Sequence, residues 1–402
     1  MYKLPQILVF LFFTTASIKA QNICNDFLAT NFQENGQCVY PTTYFDISNS
    51  VSLDRKLKES SALINIDGKL WTLNDSGNKN EIYQINKITG EIEKTVAVIN
   101  AKNIDWESMT ANETHLFIGD FGNNKGNRKD LKIYKIKLED IRNKEKVSAE
   151  IIQFKYEDQN NFNNKAHQHN FDCEAFVYLN KQLHLFTKNW ANGYTKHHTL
   201  PIESGEYAAV LVDSFYVEGL ITAASLNPEK DALIMIGYNQ ISRGFLWVFK
   251  EFEKDNFFKS KARRIELGST LQVGQIEGVC FYGNKILISS EDFFNTKASL
   301  HQLNINQFIF NSSFKNLENY KLDELLIDKN KFQITFNNFV KGNCEKADFI
   351  ILDIDKNEVI IDKKNHPVEK HFKLSKNILN IDKQYIISVR ACNYEYTKIL
   401  IF

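Results

Sequence analysis

Ala62-Leu63-Ile64-Asn65-Ile66-Asp67-Gly68-Lys69-Leu70-Trp71-Thr72-Leu73 reads as two short apolar runs joined by an Asp-Gly dipeptide. Asp-Gly between apolar runs is the strongest short-range hairpin signal, because both central residues of the favoured two-residue turn need positive φ. Reading outward, a polar loop leads to a strand at Ile82 to Ile85, a turn at Thr89-Gly90 and a strand at Ile92 to Val98. Four strands therefore follow one another as a meander. From about residue 57 the chain keeps this texture, with short alternating or apolar runs, turn residues between them and little helical periodicity. The pattern predicts one short helix, around Leu138 to Lys144.

The leading hairpin recurs. Met109 to Ile118 turns at Asn112-Glu113, Phe176 to Phe186 at Asn180-Lys181, Ala223 to Ile236 at Asn227 to Lys230, and Val279 to Ile288 at Gly283-Asn284. Aligned on the ends of their second strands, the units give Asp75, Asp120, Lys188, Tyr238 and Glu291, at intervals of 45, 68, 50 and 53 residues. Four-stranded repeats of about 40 to 50 residues are the mark of propeller blades. The reading is an all-β chain: a five- or six-bladed β-propeller over residues 44–310, followed by a small C-terminal β-sandwich over 311–402. A sixth blade would come from the insert between Ile151 and Asn170, or from closure by a strand near Tyr44 to Ile47. The alternative is a β-sandwich with a long meander.

Composition narrows the function. Lys and Arg number 49, as do Asp and Glu, so the 402 residues carry no formal net charge. Without a basic excess, the electrostatic term that dominates binding to phosphate backbones is missing, and nucleic acid is not expected as a partner. With 31 Phe and 16 Tyr against 5 Pro, the chain is neither disordered nor fibrous. Lys3 and the apolar run Ile7 to Phe13, leading into Ala16-Ser17-Ile18-Lys19-Ala20, read as a signal peptide over residues 1–20, cleaved before Gln21. The run falls short of the roughly 20 residues of a membrane span. The expected location is secreted, periplasmic or on the cell surface, and Cys24 is not the first mature residue, which argues against a lipid anchor. In an exported chain cysteines pair. Cys24 with Cys38, in a core-poor segment over 21–43, and Cys344 with Cys392 are the two candidate disulfides, while Cys173 and Cys280 sit in apolar strand patterns as small buried hydrophobes.

The repeats carry acidic residues at fixed places. The leading hairpins begin just after Glu59, Glu107, Glu174, Thr222 and Glu277, and end 13 to 16 residues later at the aligned positions above. In an antiparallel hairpin the start of the first strand lies beside the end of the second. The innermost strands of a propeller all run the same way along its channel, so these positions collect at one mouth, with Asp105 and Asp172 added to the rim. Glu59, Asp75, Asp105, Glu107, Asp120, Asp172, Glu174, Glu277 and Glu291 form the expected metal set. Crowded carboxylates repel unless a cation sits among them, and hard oxygen ligands suit Ca²⁺. The alternative is that the glutamates cap strand ends and pair with Lys188 and Arg128. His167-Gln168-His169, with Asp172 and Glu174, could hold a transition metal or form a polar loop, and His197-His198 lies in another such loop. No G-x-S-x-G elbow and no Gly-rich phosphate cradle is present.

Leu70-Trp71-Thr72-Leu73-Asn74-Asp75-Ser76-Gly77-Asn78, Asp105-Trp106-Glu107-Ser108-Met109, Phe117-Ile118-Gly119-Asp120-Phe121-Gly122-Asn123-Asn124, Asp172-Cys173-Glu174-Ala175 and Ser289-Ser290-Glu291 carry a resemblance. With Glu59-Ser60-Ser61 and Thr187-Lys188, they are similar to exported bacterial propellers of the family named for the esterase-like activity of phytases. The resemblance covers about residues 57 to 305. It implies Ca²⁺ at the channel mouth and phosphate esters as substrates, with Lys188, Arg128 or Arg243 near the anion. Thr222, where other blades have Glu, and Leu73, in place of a His, depart from the pattern. The stretch Cys24 to Cys38 resembles a short disulfide module of secreted Bacteroidetes proteins. The C-terminal strands, expected at Phe332 to Phe336, Phe349 to Ile354, Val359 to Ile361, His371 to Leu374 and Tyr385 to Val389, resemble the sorting domain of the type IX secretion system. Leu379 to Tyr385 lacks that family's Gly and the opening Pro-Asn-Pro is missing, and a carbohydrate-binding or adhesion sandwich is the alternative. Two function classes follow: a Ca²⁺-dependent ester or phosphoester hydrolase, or a non-catalytic propeller holding a small-molecule or surface ligand at its mouth. A monomer is expected in either case.

Overall fold

The Asp67-Gly68 turn forms with φ of +52° and +77°, and the apolar runs beside it become the strands Ser60–Ile66 and Lys69–Asn74. A computed structural model of the chain describes residues 47–303 except 164, with 34, 43–44, 326–328, 333–335, 345–356, 358–367, 371–373, 383–391 and 394–401. The signal segment and both candidate disulfides, Cys24 with Cys38 and Cys344 with Cys392, lie outside the described residues, as does most of the Leu379 to Tyr385 string. All described residues but Glu34 belong to one unit, Thr42–Phe402. Among the described residues no helix is long and apolar enough to cross a membrane.

The propeller has five blades. The first is Ser60–Ile66, Lys69–Asn74, Glu81–Ile85 and Ile92–Val98; the second is Trp106–Ala111, His115–Asp120, Lys132–Lys137 and Glu150–Tyr156. Cys173–Leu179, Gln182–Thr187, Tyr194–Pro201 and Gly205–Tyr216 form the third, and Leu220–Leu226, Ala232–Tyr238, Arg243–Lys250 and Lys261–Ser269 the fourth. The fifth takes three strands from its own repeat, Gln275–Tyr282, Lys285–Glu291 and Ser299–Leu303, and its outermost strand, Ser48–Ser52, from the start of the propeller. The five innermost strands neighbour one another around a closed ring. Neither source of a sixth blade makes one. Glu150–Tyr156 completes the second blade, and Thr43–Tyr44 adds in parallel to the outer edge of the fourth. The predicted helix forms as Leu138–Asn143, between the third and outer strands of the second blade.

Each blade is apolar on both faces, so each interface between neighbours is a separate core. Trp71, Leu73 and Val96 meet Trp106, Met109 and Ile118 between the first two blades. Phe117 and Phe121 meet Phe176 and Leu185 between the second and third, where the rings of Phe121 and Phe176 cross edge to face at 5.2 Å. Cys173 and Cys280 are buried, unpaired, in two of these cores. Where the ring closes, a Cβ on Gly278 would come within 2.7 Å of the Ala62 backbone, so only glycine lets the fifth inner strand approach the first.

The C-terminal region holds a three-stranded sheet, Leu326–Asp328, Gln333–Thr335 and His371–Lys373, and a four-stranded one in the order Glu358–Pro367, Lys346–Asp353, Gln384–Ala391, Tyr394–Ile401. Ile350, Leu352 and Ile386 on one face of the larger sheet pack on Leu271 of the propeller. Gln272 Nε2 donates to Ser388 Oγ at 3.1 Å, and Asn295 Nδ2 to Asp362 Oδ2 at 2.9 Å.

His301 ties down the closing strand, with Ser50 Oγ 2.7 Å from its Nδ1 and Ser290 Oγ 2.9 Å from its Nε2. Burial pushes this imidazole down to about 4. An unfolded histidine takes up its proton near pH 6.5. Between those values the unfolded state binds the proton that the folded state refuses, so this contribution is complete above the upper value and is lost as pH falls. The stability advantage of the wild type over His301→Gln, read from urea unfolding, is expected to shrink by about 2 kcal/mol between pH 7.5 and 4.5. A constant advantage would show that His301 titrates normally.

Candidate functional site

Every inner strand breaks register once, at the same end of the channel. Pairing skips a residue between Ser60 and Ala62, Trp106 and Ser108, Cys173 and Ala175, Ile221 and Ala223, and Ile276 and Gly278. The bulged residues are Ser61, Glu107, Glu174, Thr222 and Glu277. A bulge leaves one residue unpaired and re-aims its side chain, and here five such positions ring one mouth. The two short members bridge blades: Ser61 Oγ donates to the Trp106 carbonyl at 3.0 Å, and Thr222 Oγ1 to the Ile276 carbonyl at 2.7 Å. Each acceptor immediately precedes the next blade's bulge. Ser61, rather than Glu59, is therefore the first blade's counterpart of Glu107. The second strands align on Asn74, Asp120, Thr187, Gly237 and Ser290, so Asp75, Lys188, Tyr238 and Glu291 each lie one residue beyond them and Asp120 does not belong in their row.

The carboxylates converge. Ligand oxygens of Asp75, Asp105 and Glu107 all lie within 4.8 Å of one another. Burial, with Asp75 and Asp172 beside it, pushes the Asp105 carboxyl up to about 7. Glu107 is held well above its ordinary range by burial and by Asp75, Glu174, Asp105 and Asp172. Across the ring, burial and the neighbouring Glu277 raise Glu291 to about 9, and Gln275 Nε2 donates to both of these glutamates. Among the described residues, nothing donates a hydrogen bond to the carboxylate of Asp105 or Glu107.

One cation sits inside the ring. Lys188 Nζ is 3.1 Å from Glu174 Oε1, and both side chains are about 5% exposed. Burial alone would strip its proton, but Glu174, Tyr238, Glu277 and Asp172 outweigh it and hold the ammonium charged. Burial raises Glu174 well above its ordinary range, against the pull of Lys188. Behind the ring, Asp120 accepts from Arg128 Nη2 at 2.9 Å and from the Asp105 backbone N–H at 3.1 Å. Arg128 also donates to Asp130 and to the Gly122 carbonyl. Asp172 accepts from the Asn123 backbone N–H at 2.5 Å and from Trp190 Nε1 at 2.7 Å, strapping the loops of two blades together. A Cβ on Gly122 would fall 2.2 Å from Glu107 Oε1 and 2.6 Å from Asp105 Oδ2, so the loop presses against the carboxylates only because it is glycine.

Asp75, Asp105, Glu107, Asp172, Glu174, Glu277, Glu291 and Lys188 are thus brought together. Glu59 stays at the rim, 38% exposed, where Asn78 and Lys58 hold it. Asp120 and Arg128 form a supporting pair behind the ring. Arg243 begins the third strand of the fourth blade, its backbone N–H donating to Asn239 Oδ1, and is no part of the cluster. His169 has both ring nitrogens engaged, with the Asn124 carbonyl and the Phe171 N–H, and is no free ligand, while His167 stacks on Trp190 at 4.1 Å; His197 and His198 lie buried in the strand Tyr194–Pro201 and not in a loop. Gln275 and Trp190 escaped the sequence reading, since a single amide or ring beside a repeat boundary carries no periodic signal.

No family model matches the chain, and no curated protein matches its sequence. Among solved structures it is similar to an alpha-L-arabinofuranosidase from Podospora anserina, at 8% identity and a TM-score of 0.40, over 65% of this chain and 98% of that one. A candidate 6-phosphogluconolactonase from Bacteroides fragilis is similar at 12% identity and a TM-score of 0.32, over 85% and 87%. Hydrazine synthase from Kuenenia stuttgartiensis is similar at 11% identity and a TM-score of 0.32, over 58% of this chain, which spans 55% of that one. Likenesses this distant say nothing of activity, and the functional reading rests on the residues of the mouth.

Removing one partner of a buried ion pair strands the other charge, at a cost of about 3–5 kcal/mol. Lys188→Met is expected to lose about that much in chemical denaturation, and Lys188→Met combined with Glu174→Gln to recover most of it. Additive losses in the double variant would show that the two groups do not depend on each other.

Proposed function

We propose that the protein is an exported propeller that holds Ca²⁺ at its channel mouth and acts there as an ester hydrolase, phosphate esters being the class its blade motifs suggest. The observation that carries this is the convergence of Asp75, Asp105 and Glu107, three hard oxygen donors within 4.8 Å whose own lysine, Lys188, is engaged with Glu174. Ca²⁺ takes six to eight such oxygens in flexible geometry, and a donor set of carboxylates without nitrogen or sulfur fits it. The proton on Asp105, held by burial and by the neighbouring Asp75 and Asp172, would leave as the ion entered. Bound calcium would supply Lewis-acid polarisation of an ester oxygen. The Asp120–Arg128 pair holds the Asp105 backbone N–H, and Glu107 projects from the bulge of its strand.

A second reading, a propeller that binds a ligand without transforming it, is favoured by one observation. The two cations nearest the mouth are committed, Lys188 to Glu174 and Arg128 to Asp120 and Asp130, which leaves neither free for a phosphate. Phosphate release from inositol hexakisphosphate, present with Ca²⁺ and abolished by EDTA, supports the hydrolase; its absence at full metal occupancy supports binding alone.

Both readings share the ion. Ca²⁺ at a hundredfold excess over its Kd should add about 2.7 kcal/mol of stability, seen as a rise in Tm that EDTA reverses. Glu107→Gln is expected to remove most of that rise. Glu157→Gln, an exposed position whose Oε1 accepts from the Leu211 N–H at the blade edge, is expected to leave it intact. Identical melting curves with Ca²⁺ and EDTA would reject the ion.

A further inference from the structure

Beside the acidic ring, an open cleft of 610 Å³ lies among the loops of the third, fourth and fifth blades. We infer that this cleft is a binding site for a neutral saccharide. Its volume falls in the range of small-molecule sites, and its chemistry is selective. Trp190 and Tyr238 contribute aromatic surface but already carry the Lys188 ammonium over their rings, at 5.0 and 5.4 Å. Tyr216 is the open ring, 53% exposed and braced by Tyr194 at 5.0 Å. An aromatic face of this kind takes the C–H face of a pyranose as well as any other flat apolar surface, while its hydroxyl stays wet.

Hydrogen-bonding groups stand around it. The Asn192 side-chain oxygen accepts from the Tyr194 N–H at 3.1 Å, and that of Asn239 from the Ile241 and Arg243 N–H groups at 3.1 and 3.0 Å. Both carboxamides are therefore oriented, and among the described residues their Nδ2 donors find no partner and Gln240 makes no hydrogen bond. Among the described residues Glu218 is the one charged side chain in the lining, and it supplies acceptors. Vicinal hydroxyls, each able to accept from an amide and donate to a carboxylate, satisfy such a set. A phosphate ester does not, because among the described residues no cation lines the cleft and Glu218 would repel it. A lipid chain would leave the carboxamides desolvated and unpaired. This inference does not rest on calcium, since none of Asp75, Asp105 and Glu107 lines the cleft.

The test uses the full chain in EDTA, titrated calorimetrically with neutral tri- to pentasaccharides of the cello-, xylo-, manno- and malto- series. At least one series is expected to bind saturably. Tyr216→Ala, at an exposed position and with an unchanged Tm, should weaken it about tenfold, while Tyr216→Phe should stay within about twofold of the wild type. Gln240→Ala should weaken it as well, and inositol hexakisphosphate should not compete. The inference is overturned if no series binds, if Tyr216→Ala binds as the wild type does, or if inositol hexakisphosphate displaces the sugar in EDTA. Failure here leaves the calcium-dependent rise in Tm untouched, and loss of that rise leaves the sugar titration untouched.

Discussion

Five inner strands must enter one narrow channel, and each gives up one ladder position where it does so. That repeated bulge is the constraint on which the rest of the mouth depends. It turns Glu107, Glu174 and Glu277 out of the pairing and gathers them at one end, where burial leaves them poorly solvated and mutually repelling. Ser61 and Thr222, at the same bulges, show the low-energy solution: a short hydroxyl that bonds the next blade's backbone. Glutamate at three of the five positions is the costlier choice for folding, and its cost is concentrated at a single place.

Partial compensation is built in. Lys188 neutralises the side of the ring around Glu174 and acts on Glu277 and Glu291. Arg128 faces Asp120 behind the ring and reaches Asp105 only through longer-range attraction. What is left is an unbalanced pole of Asp75, Asp105 and Glu107, with Gly122 pressed against two of them. The backbone that carries this pole is tied down: Asn103 Nδ2 donates to the Asn74 and Asp75 carbonyls, and the Asp105 N–H to Asp120, which Arg128 holds in turn. Strongly shifted groups held on a rigid scaffold in a concave mouth are what a functional site requires, although structural networks share the first of these properties.

The fold was legible because its signals are local. Asp67-Gly68 and Asn180-Lys181 both adopt the positive φ values of tight hairpin turns, and the apolar runs beside them fall on the expected strands. The closing strand was harder. In Ser48-Asn49-Ser50-Val51-Ser52 only Val51 is apolar, so its place in the fifth blade comes from pairing with Ser299–Leu303 and not from its pattern. The convergence of the acidic residues was readable from hairpin geometry, but their register was not. A bulge inserts one residue without changing composition, so Glu59 took the place that belongs to Ser61, and Asp120 was aligned with Asp75 although it lies one position short. Cross-blade contacts such as the Asp172 strap join residues far apart in the chain and leave no mark in any single repeat.

The central claim is that the unbalanced pole of the mouth is a calcium site, and anomalous diffraction from crystals grown with Ca²⁺ tests it most directly. A single strong peak about 2.4 Å from carboxylate oxygens of Asp75, Asp105 and Glu107 is the predicted result. A mouth with no peak, its carboxylates bridged by Lys188 and water alone, would contradict it.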